Sequence, residues 1–157
     1  MNPIKIVEYQ HHHQQYFEKF NRYWIEKYFV MEPIDEFVLT DPEEALLKPG
    51  GAILMATYDG EVAGTVALRK VDDTTYEFTK MAVDNEFQRK GIAEALSYAS
   101  FQKAKELGAD KVILYSNSLL TPAIRLYDKL VFKHLPMGIG VYKRSDVKME
   151  IEVAEFE

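Results

Sequence analysis

The most chemically pointed spacing in the chain is Val83-Asp84-Asn85-Glu86-Phe87-Gln88-Arg89-Lys90-Gly91-Ile92-Ala93. A strand-like stretch gives way to a turn, and a helical pattern opens with Gly91 and Ala93 among its first residues. The first backbone N–H groups of a helix have no partner inside it and lie at the positive end of its dipole, so they can hold an anion. Small residues there let a pyrophosphate approach the main chain, and Arg89 and Lys90 could add contacts to its oxygens. An ordinary helix start with a glycine in the turn reads the same way on this segment alone. Two other phosphate motifs fit worse. A P-loop needs Gly-Lys-Ser/Thr, whereas Ile92 follows Gly91; a dinucleotide fingerprint needs three spaced glycines, and only Gly91 is present. Kinase-like and NAD chemistry are therefore not expected.

Glu77 lies on the stretch leading to this junction. Two-residue alternation puts it on one face with Thr79, Met81 and Val83. A carboxylate inside a sheet needs partners or water, which makes Glu77 a candidate acid–base group, with a structurally paired or edge-exposed glutamate as the equal alternative. Tyr115 and His134 could approach the same pocket. His11-His12-His13 invites a metal reading, but adjacent helical residues point about 100° apart and converge poorly on one ion, so no metal is expected.

The elements that must position these groups follow from periodicity. Pro3 to Tyr9 reads as an opening strand. From Gln10 to Phe29, Phe17, Phe20, Trp24 and Tyr28 recur at helical spacing and predict a buried face. Asp41-Pro42-Glu43-Glu44 predicts the start of a short helix ending near Leu47, and Pro49-Gly50-Gly51 breaks the chain. Ala52 to Tyr58, Glu61 to Val71 and Thr74 to Val83 predict an antiparallel meander with turns at Asp59-Gly60 and Asp72-Asp73. The period then changes to about 3.6, with Ile92, Ala95, Leu96, Ala99, Lys103, Ala104 and Leu107 in one stripe and Gly108 as C-cap. Lys111 to Ser116 predicts a strand, Thr121 to Leu130 a helix, and Val131 to Leu135 and Asp146 to Glu152 two last strands. The order is β-α-α-β-β-β-α-β-α-β-β, an α/β sheet protein of mixed strand direction, with residues 1–157 read as a single domain.

With those elements in place, Gln88-Arg89-Lys90-Gly91-Ile92-Ala93 resembles the coenzyme-A signature of the GNAT acetyltransferases, Gln/Arg-x-x-Gly-x-Gly/Ala. It follows Lys80-Met81-Ala82-Val83, which is similar to the end of that family's fourth strand. Tyr115-Ser116-Asn117 and the segment from Pro122 to Phe132, with Ala123 and Tyr127, resemble the second cofactor segment. Two departures are visible: Ala93 stands for the commoner second glycine, and Val131-Phe132 for the usual Gly-Phe. The resemblance covers nearly the whole chain. It implies a mostly antiparallel sheet of about seven strands flanked by helices, with a slot where strands four and five splay.

The resemblance also implies roles. Met81, Ala82 and Val83 would pair with the pantetheine arm of acetyl-CoA. The N–H groups of Arg89, Lys90, Gly91, Ile92 and Ala93, following Gln88, would hold its pyrophosphate. Asn117 would bond the arm from the other side. Tyr127 would protonate the leaving thiolate, a core tyrosine being the alternative, and Glu77 is the first choice for general base. The implied function is acetyl transfer from acetyl-CoA to an unidentified amine by direct attack in a ternary complex. A coenzyme-A-binding sensor or interaction domain without catalysis is the alternative. Dimerisation is common in the family, and the C-terminal strands could contribute to it.

Bulk properties are compatible. The 157 residues are 47% hydrophobic and 28% charged, an ordinary globular composition. The absence of cysteine removes disulfides and a thiol nucleophile. A net charge of −6 argues against nucleic-acid binding. An acidic surface suits a cationic or amine substrate, although acidity more often serves solubility. Neither a signal peptide nor a membrane-spanning run is expected, so the expected location is the cytoplasm.

Overall fold

The computed structural model describes residues 2–130, 132–136 and 144–153. Seven strands form one sheet: β1 (Ile4–Glu8), β2 (Ala52–Tyr58), β3 (Glu61–Lys70), β4 (Thr75–Val83), β5 (Lys111–Ser116), β6 (Lys133–Leu135) and β7 (Val147–Glu152). Their spatial order is β1-β2-β3-β4-β5-β7-β6. Every neighbouring pair is antiparallel except β4 and β5, which run parallel. The parallel pair needs a crossover, supplied by α3 (Ile92–Glu106).

The β2–β3 hairpin forms where the sequence predicts it. Asp59 and Gly60 both have positive φ, 48° and 88°, as a two-residue turn that follows strand twist requires. Helices cover both faces. On one, Phe17 of α1 (Gln14–Tyr28) and Leu39 of α2 (Pro33–Thr40) pack with Met55 and Ala67. On the other, Leu96 and Phe101 of α3 and Tyr127 of α4 (Thr121–Lys129) pack with Val66, Phe78 and Leu114. Among the described residues no helix is long and apolar enough to cross a membrane.

Three expectations are corrected. The predicted 41–47 helix is only a π-helical turn, Glu43–Leu47. The second helix lies earlier, with Pro33 in its first turn and a reciprocal bonding of Glu32 and Asp35 at its start. In α1, Phe17 and Phe20 are buried, but Tyr28 is exposed; Asn21 and Ile25 complete the buried face instead. In α3, Ser97, Ser100 and Phe101 are buried and Ala95, Ala99 and Lys103 only partly so, because the buried stripe is rotated from the predicted one. Val131, which begins the predicted sixth strand, lies outside the described residues; the observed strand is Lys133–Leu135.

Candidate active site

Pairing between β4 and β5 runs from Thr75↔Lys111 to Phe78↔Leu114 and stops. From Thr79 onward the β5-side edge of β4 is open, while β5 continues through Tyr115 and Ser116. The parting coincides with a bulge. The register with β3 passes from Thr79↔Ala67 to Ala82↔Thr65, so Lys80 and Met81 together face Val66. Lys80 has φ +53°, a left-handed conformation costing a lysine roughly 1–2 kcal/mol.

The bulge corrects the predicted alternation. Glu77 does not share a face with Val83: Val83 packs with Phe78 on the α3 side, and Glu77 stands opposite Arg69 on the other. Its carboxylate is 1% exposed and accepts from Arg69 Nε at 2.8 Å. It does not line the cavity described below.

Beyond the bulge, the Asp84 N–H donates to Ala63 O. Alternation of amide direction therefore turns the Val83 N–H and C=O toward the open side. The Val83 carbonyl accepts from Trp24 Nε1 at 2.9 Å and Gln88 Nε2 at 2.8 Å. Gln88 thus braces the turn with its side chain. Arg89 and Gly91 both have positive φ, 63° and 82°, and α3 begins at Ile92. Such a turn leading into a helix start makes an anion-sized concavity of N–H groups. A Cβ built on Gly91 meets no atom within 4 Å, so the approach is open. Lys90 Nζ lies 5.1 Å from the Tyr58 ring centroid.

A cavity adjoins the slot. Asn21 and Trp24 of α1, Thr79 and Lys80 of β4, Tyr115 and Tyr127 contribute to its lining. Tyr127 is 8% exposed, edge-on to Phe78 with centroids 5.7 Å apart, and burial pushes its phenol pKa up. Tyr115 therefore reaches the pocket as expected. His134 does not line it and bonds Asp128 at 2.9 Å. The Asn117 side chain holds the neighbouring loop: its amide donates to Arg144 O and its oxygen accepts from the Leu119 N–H. Ala123 is half-buried against the α3-side core. His11 pairs with Glu43, and among the described residues no group of three or more potential ligands could hold a metal ion.

One cluster has no counterpart in the sequence reading. Asp35, wholly buried, accepts from Lys80 Nζ at 3.0 Å and from Arg144 at 2.7 and 2.9 Å. Arg144 also donates to Glu32 at 3.0 Å. Burial pushes the Asp35 carboxyl up, but Arg144 and Lys80 outweigh it and hold the pKa down to about 2. Two sequence signals could have pointed here: a lysine in the apolar second half of a strand, and an acid in the first turn after Pro33.

The seven-stranded mixed sheet, its parted β4 and β5 and the left-handed turn ahead of α3 define an acetyltransferase-type architecture. The sequence model of the Acetyltransferase (GNAT) family matches residues 7–132. The chain belongs to that family. It is similar to the N-acetylaspartate synthetase of Homo sapiens, 35% identical over 99 residues that cover 62% of this chain and 33% of that protein. The chain thus spans about a third of the length of that relative. A GNAT acetyltransferase structure from Staphylococcus aureus Mu50 superposes with a TM-score of 0.84 at 20% identity, covering 96% of this chain and 99% of that one. An acetyltransferase from Salmonella typhimurium, solved with its cofactor acetyl-CoA, gives 0.76 at 20% identity, covering 99% and 96%.

Proposed function

We propose that this chain is an acetyl-CoA-dependent N-acetyltransferase that acetylates a primary amine by direct attack in a ternary complex. The observation that carries the reading is the open edge of β4 from Thr79 to Val83, which leads to the left-handed turn at Arg89–Gly91. Of the three predicted residues, Val83 offers its N–H to the pantetheine arm with Met81 beside it on the open edge, whereas the main-chain groups of Ala82 turn toward Thr65 of β3. The N–H groups from Arg89 to Ala93 receive the diphosphate, and Asn117 and Ala123 border the arm's other side.

Acetyl-CoA supplies an activated acyl carbon and a thiolate leaving group. The Val83 N–H is aimed at the position of the thioester oxygen, an interaction whose loss costs about 3 kcal/mol in other acyl transfers. Tyr127 donates its proton to the departing sulfur as the C–S bond breaks and the N–C bond forms. Burial pushes its pKa up and makes the phenol a weaker acid, so the transfer requires a departing thiolate that is itself desolvated and at least as basic. The proton lost by the amine leaves through water in the cavity. We assign that step no role for Glu77, because Arg69 occupies its carboxylate and it stands off the cavity. Similarity to an N-acetylaspartate synthetase brings amino acids into the acceptor panel.

Calorimetry with acetyl-CoA and a thiol-release assay over a panel of amines test the reading. Binding with turnover of at least one amine is expected. Absence of acetyl-CoA binding, or binding without turnover of any amine, overturns it.

A further inference from the structure

We propose that the acceptor amine also carries a carboxylate, which Lys80 and Arg144 receive; this inference rests on the acetyltransferase reading above. Fifteen described residues line the cavity beside Tyr127, and only two of them are charged: Lys80 and Arg144. Both are cations.

The two cations are not isolated. Asp35 bonds both, and Glu32 bonds Arg144, so the four side chains sum to zero charge. Their arrangement is directional, however. Neither Asp35 nor Glu32 lines the cavity, and Asp35 is wholly buried. The two cations belong to the cavity lining and their carboxylate partners do not. Coulomb energy falls with distance, so a group in the cavity feels its nearest charges most strongly. An incoming carboxylate meets two donors already fixed in place by their own acid partners, and such preorganisation lowers the entropy lost on binding. A second ammonium, as in a polyamine, would face two like charges at close quarters. The same cations favour the neutral, nucleophilic form of an amine beside them. The charged residues lining the cavity among those described are thus both cationic, whereas the protein as a whole carries a net charge of −6. Arg144 and Lys80 act as specificity-determining residues.

Matched acceptors test this with the unmodified protein. Alanine against alaninamide isolates the α-carboxylate, aspartate against asparagine isolates a side-chain carboxylate, and spermidine supplies extra cations. The expected result is a kcat/KM at least about tenfold higher for the carboxylate member of one pair, with spermidine the poorest acceptor. Which pair discriminates shows which carboxylate is read. Equal rates within both pairs, or preference for spermidine, overturn the proposal while leaving acetyl transfer intact. Failure to bind acetyl-CoA in calorimetry instead removes the underlying reading and this one with it. As a second arm, Lys80→Met should raise KM for the preferred acceptor and shrink the discrimination ratio, whereas Lys80→Arg should restore part of it. A Lys80→Met protein that binds acetyl-CoA and keeps the full ratio counts against the assignment.

Discussion

Replacing Asp35 by Asn tests whether the buried cluster holds α2, β4 and the Arg144 segment together. Asp35 is wholly buried and bonds Lys80 Nζ, two Arg144 nitrogens and the Glu32 N–H. The amide keeps the shape but removes the charge that compensates two cations, one of which, Lys80, is 4% exposed. Removing one member of a buried pair costs about 3–5 kcal/mol, because it leaves the other charge uncompensated. For a domain of this size that is a fall in Tm of about 6–20 °C. A second magnitude comes from linkage. The Asp35 pKa falls from 3.8 to about 2 on folding, which corresponds to a contribution of about 2 kcal/mol. A depressed carboxyl pKa stabilises above its unfolded value, so the contribution is full above about pH 5 and is lost as pH falls through about 2. The truncation figure is the larger because it includes the stranded cations. Urea unfolding at pH 7, repeated down the acid range for both proteins, measures both effects. The gap between wild type and Asp35→Asn should narrow by about 2 kcal/mol on acidification. A variant as stable as wild type at pH 7, with a parallel acid profile, would show that the cluster does not act as described.

The remaining predictions concern the slot and the sheet. Gly91→Glu should abolish detectable acetyl-CoA binding in calorimetry, since it adds a carboxylate beside the Arg89–Gly91 turn at φ +82°; Gly91→Ala, which meets no atom within 4 Å, should bind with a smaller loss. Unchanged affinity in Gly91→Glu would remove the proposed diphosphate site. Tyr127→Phe should lower kcat by about 10²-fold or more with acetyl-CoA affinity nearly intact, as expected for loss of a general acid; wild-type turnover would refute that role. Glu77→Gln should lower stability by about 1–3 kcal/mol through its lost ion pair with Arg69, yet leave the shape of the pH–rate profile unchanged. Disappearance of an ionisation from that profile would restore Glu77 as a base.

What could be read directly from sequence, and what could not, divides along sequence distance. The β2–β3 hairpin and the helix opening after Gly91 are local: Asp59-Gly60 demands positive φ, and the change from alternating to 3.6 periodicity falls at the junction itself. The resemblance singled out Tyr127, whose spacing from the helix start is carried by regular elements, and Tyr127 lines the cavity. Arg144, by contrast, meets Asp35 across a separation of 109 residues and Lys80 meets it across 45, and no local pattern announces such pairs. Asp35 was further hidden because the Asp-Pro signal at Asp41-Pro42 drew the helix start away from Pro33, where the longer apolar repeat follows. Alternation along β4 failed for a different reason. It assumes an unbroken ladder, and the extra residue at Lys80 breaks it, sending Val83 to the face opposite Glu77. The same bulge carries the Lys80 side chain into a buried position where an acid partner becomes necessary, and Asp35 supplies it. The broken alternation and the burial of Lys80 therefore share one physical origin: the bulge at a single left-handed residue in β4. It coincides with the opening of the slot and brings Lys80 into the lining of the cavity.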